Sequence, residues 1–79
     1  MNYEDEIKKL FGAQLRELRS ARGFSQESLA NTCELDRTYI GGVERGERNI
    51  SLINIVRIAQ ALHVSTHELI PSYSNVGEK

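Results

Sequence analysis

Between Ser25 and Arg48 the chain reads SQESLANTCELDRTYIGGVERGER, and it packs two helix starts and two helix stops into that span. Ser25 is a good N-cap, because its hydroxyl can accept from the free backbone N–H groups of Gln26 to Ser28. Leu29, Ala30 and Cys33 then recur at helical spacing, which gives a first helix of about two turns. Glu34 and Leu35 break it, Asp36 caps a second helix from Arg37 to about Arg45, and Gly46 stops that one from the C′ position. Two helices joined by so short a turn can pack only by crossing steeply, so the rest of the chain has to be arranged around that pair.

A wheel at about 100° per residue places Ile40 and Val43 on one narrow apolar face of the second helix, flanked by Tyr39 and Glu44. That face must point inward. The opposite side holds Arg37, Thr38, Gly41, Gly42 and Arg45, which are donors, one small hydroxyl and two residues with no side chain. Each glycine costs a helix interior roughly 1 kcal/mol relative to alanine. Two adjacent ones are either carried by tertiary packing or there to let the helix come close to another surface. An exposed Arg-Thr-Gly-Gly-Arg face suits the floor of a DNA major groove.

The flanking segments supply the core. Residues 5–22 read as a first helix, with Ile7, Leu10, Phe11, Leu15 and Leu18 at spacings of three and four against a polar side of Lys8, Lys9, Arg16, Glu17 and Arg22. Gly12 inside it is either a tolerated defect or a point of close helix contact. Gly23 can take the left-handed C′ conformation and fold Phe24 back onto the core. Ser51 caps a fourth helix to about Leu62, with an inner stripe of Leu52, Ile55, Ala59 and Leu62 widened by Val56 and Ile58, while Ile53 lies off the stripe. Ser65 caps a last short helix with Leu69 and Ile70 apolar and Pro71 ending it, and residues 72–79 read as a flexible tail. The expectation is an all-α chain of five helices with no strand, forming a single domain over residues 1–79.

Charge and composition restrict the function. No apolar run is long enough for a membrane span, the start MNYEDEIKK is acidic and unlike a secretory signal, and a single cysteine fits a reducing cytoplasm. The net charge of −1 is unusual for a nucleic-acid binder, but residues 12–57 hold arginines 16, 19, 22, 37, 45, 48 and 57 against acids 17, 27, 34, 36, 44 and 47, a local net of +1. That balance implies modest, strongly salt-dependent non-specific affinity and a need for two copies on a site. His63 and His67 are four apart, as metal ligands on one helix would be, but Ser65 starts a new helix between them and no cysteine or carboxylate cluster completes a site. Cys33 falls on the inner face of its helix, and no phosphate loop or nucleophile elbow is present, so no catalytic residue, cofactor or metal site is expected.

The spacing Gln26, Leu29, Ala30, Leu35, Ile40, Val43 resembles the helix-turn-helix pattern of the Cro/cI-like (lambda repressor-like, XRE-family) regulators, and the likeness extends over residues 7–70. The helix-turn-helix would span residues 25–45. The segment LDRTYIGGVERGERNISL is similar to the controller proteins of restriction-modification systems. One departure is Glu34, at a turn position where the family often has glycine in a left-handed conformation. A non-glycine residue there costs about 1–2 kcal/mol, so either the turn is shaped differently or other contacts stabilise it.

The resemblance implies a five-helix DNA-binding domain and a role for each residue that matches the pattern. Arg37, Thr38 and Gly41 would face base edges, with Arg37 able to reach guanine O6 and N7, or else solvated and paired with Asp36 or Glu34. Ser25 and Gln26 at one helix start, Arg45, Arg48 and Asn49 along one edge, and Ser51 at a second helix start would meet the DNA backbone. Tyr39 belongs either to the core rim or to a phosphate or thymine-methyl contact. Arg19 and Glu44 would form a structural pair. Glu27 is either a possible RNA polymerase contact or simply well placed at a helix N-terminus. Such regulators bind inverted half-sites as homodimers, and Ile53, His63, Val64, Leu69, Ile70 and Tyr73 are the candidates for the dimer surface. The leading expectation is an autoregulating transcription regulator of a restriction-modification operon, either repressor or activator. The alternative is an antitoxin with autoregulatory DNA binding, which usually needs a longer toxin-covering segment than the tail offers.

Overall fold

The computed structural model describes residues 2–70 and 72. Its elements are α1 (Tyr3–Ala21), α2 (Gln26–Cys33), α3 (Arg37–Glu44), α4 (Leu52–Leu62) and α5 (Thr66–Leu69), with no strand among the described residues. Helix α1 packs on α3 and α5, α2 on α3 and α4, and α4 on α5. The first helix starts two residues earlier than its apolar pattern suggests, because Asn2 caps it by accepting from the Asp5 N–H and three acids fill its first turn. Pro71 and residues 73–79, including Tyr73 and most of the expected tail, lie outside the described residues.

Three further caps act where the sequence places them, while the Ser65 hydroxyl donates to Glu68 and accepts no cap bond. Ser25 accepts from Ser28 N, Asp36 from Thr38 N and Ser51 from Asn54 N, while the Glu68 carboxylate accepts from the backbone N–H of Ser65. Glu34 does adopt the left-handed conformation, at φ 60° and ψ 40°. Two closing bonds, Glu34 N to Asn31 O at 3.2 Å and Leu35 N to Ala30 O at 2.8 Å, hold it there, and Leu35 packs against the core. His63 ends α4 in the same way at φ 58°, with Val64 in the place of Leu35. The packing of the following apolar residue thus offsets the backbone cost at both turns.

The core consists of Phe11, Leu15, Leu29, Ala30, Cys33, Ile40, Val43, Ile58, Ala59, Leu62 and Leu69. Several expectations need correction against it. Leu10 is 39% exposed, because α1 meets α3 through Gly12, on the side of the apolar arc away from Leu10. A Cβ on Gly12 would press on the Val43 and Glu44 carbonyl oxygens, so this glycine is a point of close helix contact and not a defect. Leu52 is 72% exposed, since the buried stripe of α4 begins at Ile55 and no described element covers the helix's first residue. Leu69 is fully buried and Val64 packs on the core, so neither offers the free surface that a dimer contact needs, whereas Ile53 and Ile70 are exposed. Gly41 and Gly42 are buried rather than bare: Arg45 and Gln26 lie over the first and Arg48 over the second.

Candidate nucleic-acid interface

Helix α3 is fixed from beneath by a buried charge cluster. Arg19 of α1 donates from Nε and Nη2 to the two carboxylate oxygens of Glu44, and the side chains are 11% and 3% exposed. Arg19 Nη1 also donates to Phe24 O at 2.8 Å, and Gln26 Nε2 donates to Glu44 Oε1 at 2.9 Å. These bonds tie the end of α1, the start of α2 and the last turn of α3 into one unit. A paired, hydrogen-bonded buried carboxylate of this kind fixes geometry more than it adds net stability. The expected structural pair Arg19–Glu44 is present. The Gln26 amide is half-buried and already engaged, which leaves its backbone N–H at the α2 start for an anion.

The start of α3 is held by Asp36, whose carboxylate accepts from Thr38 N at 3.0 Å and Thr38 Oγ1 at 2.9 Å. Those two bonds, the backbone one first, keep its pKa below the usual carboxylate range. Arg37 and Thr38 are exposed on the outer side of the helix, and neither is packed against the chain. Tyr39 resolves toward the core rim: it is half-buried, packs on the core, and its hydroxyl accepts from Asn54 Nδ2 at 3.1 Å. The Arg48 guanidinium stacks 5.7 Å above the Tyr39 ring, so Arg48 is held beside the first turn of α4. Arg48, Asn49 and Ser51 are exposed there, and Ser25 is exposed at the start of α2.

The least anticipated contact lies past the C-terminus of α3. Arg45 Nε and Nη2 donate to the two oxygens of Glu47 at 3.0 and 3.1 Å, with both side chains 60% exposed. Sequence reasoning missed Glu47 because its approach to Arg45 is not a helical spacing. It depends on the left-handed turn at Gly46, where Glu47 N donates back to Gly42 O. Asn54 was missed for a similar reason, since its partner Tyr39 sits on another helix. Glu27 is exposed at the first turn of α2.

Burial pushes the Cys33 thiol pKa up, more than the nearby Arg57 charge lowers it, so the group stays a protonated apolar filler. His63 ends α4 and His67 lies on α5. Among the described residues no group of three or more His, Cys, Asp or Glu could hold a metal ion, and no helix is long and apolar enough to cross a membrane.

Comparison with known proteins gives a consistent result. A helix-turn-helix family model, HTH_3, matches residues 15–69. The control protein C.BamHI of Bacillus amyloliquefaciens is 45% identical over 92% of this chain and 90% of its own length. The restriction-modification controller protein C.AhdI of Aeromonas hydrophila has a crystal structure that superposes with a TM-score of 0.80 at 54% identity, covering 82% of this chain and 94% of that one. The hypothetical transcription factor NHTF from Neisseria also superposes at 0.80, with 39% identity over 90% of this chain and 82% of that one.

Proposed function

Because this chain belongs to the HTH_3 helix-turn-helix family of DNA-binding transcription regulators and is not an enzyme, we propose that it is the controller protein of a restriction-modification operon, acting as a homodimer on its own promoter. The observation that carries the reading is the exposed Arg37–Thr38 end of α3, presented on a helix whose other end is locked by the Arg19–Glu44–Gln26 cluster. A rigid helix with an exposed arginine fork at its N-terminal end is what a major groove accepts. Arg37 reads guanine, Thr38 contacts the adjoining base, and Gly41 adds no side chain of its own between the middle of the helix and the groove floor.

The DNA backbone is held on both sides of that helix. The N-termini of α2 and α4, with Ser25, Gln26 and Ser51, bind phosphates, and Arg48 and Asn49 extend the second contact while Tyr39 orients Arg48. Two copies associate through the apolar residues Leu52, Ile53, Val56 and Ile70, which are 36–72% exposed, with His63 at their edge. Two recognition helices about 34 Å apart then match inverted half-sites one turn of DNA apart. Glu27, exposed at the first turn of α2, is the proposed RNA polymerase contact, and the protein works in the cytoplasm as a single helix-turn-helix domain.

The test is fluorescence anisotropy and footprinting on the DNA upstream of its own gene. The expected result is protection of two symmetric half-sites, a dimer by sedimentation, and affinity that falls steeply between about 50 and 200 mM salt. A folded protein that fails to retard any such fragment at low salt rules the reading out.

A further inference from the structure

We infer that Arg45 is a second base-reading arginine, held in position by Glu47 across Gly41, and not a phosphate contact. The inference rests on the regulator reading above and adds a specificity residue and its positioning partner to it. Arg37, Gly41 and Arg45 follow one another at intervals of four, so they share a stripe on α3. The Arg45 side chain runs back along that stripe toward the helix start, and its Nη1 stands 3.1 Å from where a Cβ on Gly41 would be. Glycine at 41 therefore leaves room for the guanidinium to lie across the middle of the outer face.

The bonding pattern indicates what the guanidinium is for. Its five N–H groups form a rigid fork. Glu47 takes Nε–H and one Nη2–H in a parallel pair, and the edge formed by Nη1 and the second Nη2–H is left over. That edge carries two parallel donors, the match for guanine O6 and N7. An arginine that served a phosphate would need charge more than orientation, and a bound carboxylate would cancel part of that charge. Orientation is what Glu47 adds. The mutual hydrogen bonds also push the Arg45 pKa up and the Glu47 pKa down, so the pair remains ionised at neutral pH.

Selection from a random duplex library with wild type, Arg45→Lys and Glu47→Gln tests this, with circular dichroism as the check on folding and mixed-sequence duplex as the non-specific probe. Arg45→Lys keeps the charge and loses the fork. It should lower preference for one guanine per half-site by about 5- to 100-fold while binding to mixed-sequence duplex stays within about twofold. Glu47→Gln should weaken preference at that same position even as the lost negative charge strengthens mixed-sequence binding. If both variants return the wild-type motif unchanged, or if Glu47→Gln tightens binding equally on all sequences, Arg45 is a backbone contact and this inference alone is overturned. A folded wild type that enriches no motif overturns it together with the regulator reading.

Discussion

Gly12→Ala adds one methyl group where α1 meets the last turn of α3, and its cost can be worked from the contacts. The new Cβ would stand 2.5 Å from the Glu44 carbonyl oxygen and 2.8 Å from its carbonyl carbon, and would press on the Val43 oxygen as well. Ordinary contact needs about 3.5 Å, so the helices must separate by about 1 Å. All three obstructing atoms are backbone, and no rotamer relieves them. Separation loosens Phe11 and Leu15 in the core, where Ile40 and Val43 also lie, and stretches the Arg19–Glu44 pair. Overpacking of this kind costs about 1–3 kcal/mol, toward the upper end where backbone must move, and better helix propensity returns about 1 kcal/mol. The net loss is about 2 kcal/mol, or a Tm lower by about 8–16 °C for a domain of this size. Urea and thermal unfolding followed by far-UV circular dichroism measure it, with Gly41→Ala as the contrast. There the obstructing atom is the tip of exposed Arg45, so stability should hold or rise by up to about 1 kcal/mol. A Gly12→Ala protein as stable as wild type would show that the α1–α3 approach does not fix the fold.

Four further outcomes follow from the same geometry. Arg37→Ala should weaken binding to the preferred site by about 1–3 kcal/mol and relax the preference at one base position, whereas equal losses on all sequences in a binding titration would make it a phosphate contact. Gly41→Leu should fold normally by circular dichroism yet lose specific DNA binding, because its side chain would occupy the space Arg45 now fills; full affinity would remove the argument from close approach. Arg19→Met should destabilise by about 3–5 kcal/mol by leaving the buried Glu44 carboxylate short of its main partner, and Arg19→Met with Glu44→Leu should recover most of that in urea unfolding. Asp36 has a folded pKa below its unfolded value of about 3.9, so its charged cap contributes stability above that pH and loses it as pH falls through the folded pKa. The stability advantage of wild type over Asp36→Asn should therefore shrink below about pH 4, and a constant difference across that range would contradict the assignment.

The order of helices and their ends could be read from the residues because those are local matters. A cap such as Ser25, Asp36 or Ser51 satisfies N–H groups within three residues of itself, and a stop such as Gly46 needs only its own backbone freedom. The exposure of Arg37 and Thr38 followed from the opposite placement of Ile40 and Val43, since one face of so short a helix must be buried. The controller resemblance rested on the same stretch. Spacing could not say how far each apolar stripe stays covered. Leu10 and Leu52 continue their stripes in sequence but emerge into solvent, and Leu69 drops fully into the core, because coverage depends on where the neighbouring helices end.

Apart from the Arg19–Glu44 pair, which the family resemblance implied, the contacts that depend on how the chain turns and packs were decided by the folded arrangement. Gly12 reads as a weak point in a helix until the carbonyls of Val43 and Glu44 are brought against it. Gly41 and Gly42 look bare on a wheel, yet side chains from residues 26, 45 and 48 close over them. Glu47 becomes a partner of Arg45 only because the chain reverses at Gly46. Local conformational preference acts over three or four residues and is written into the order of side chains. Contact across a helix interface depends on distances of an ångström or less between parts of the chain that no periodicity links.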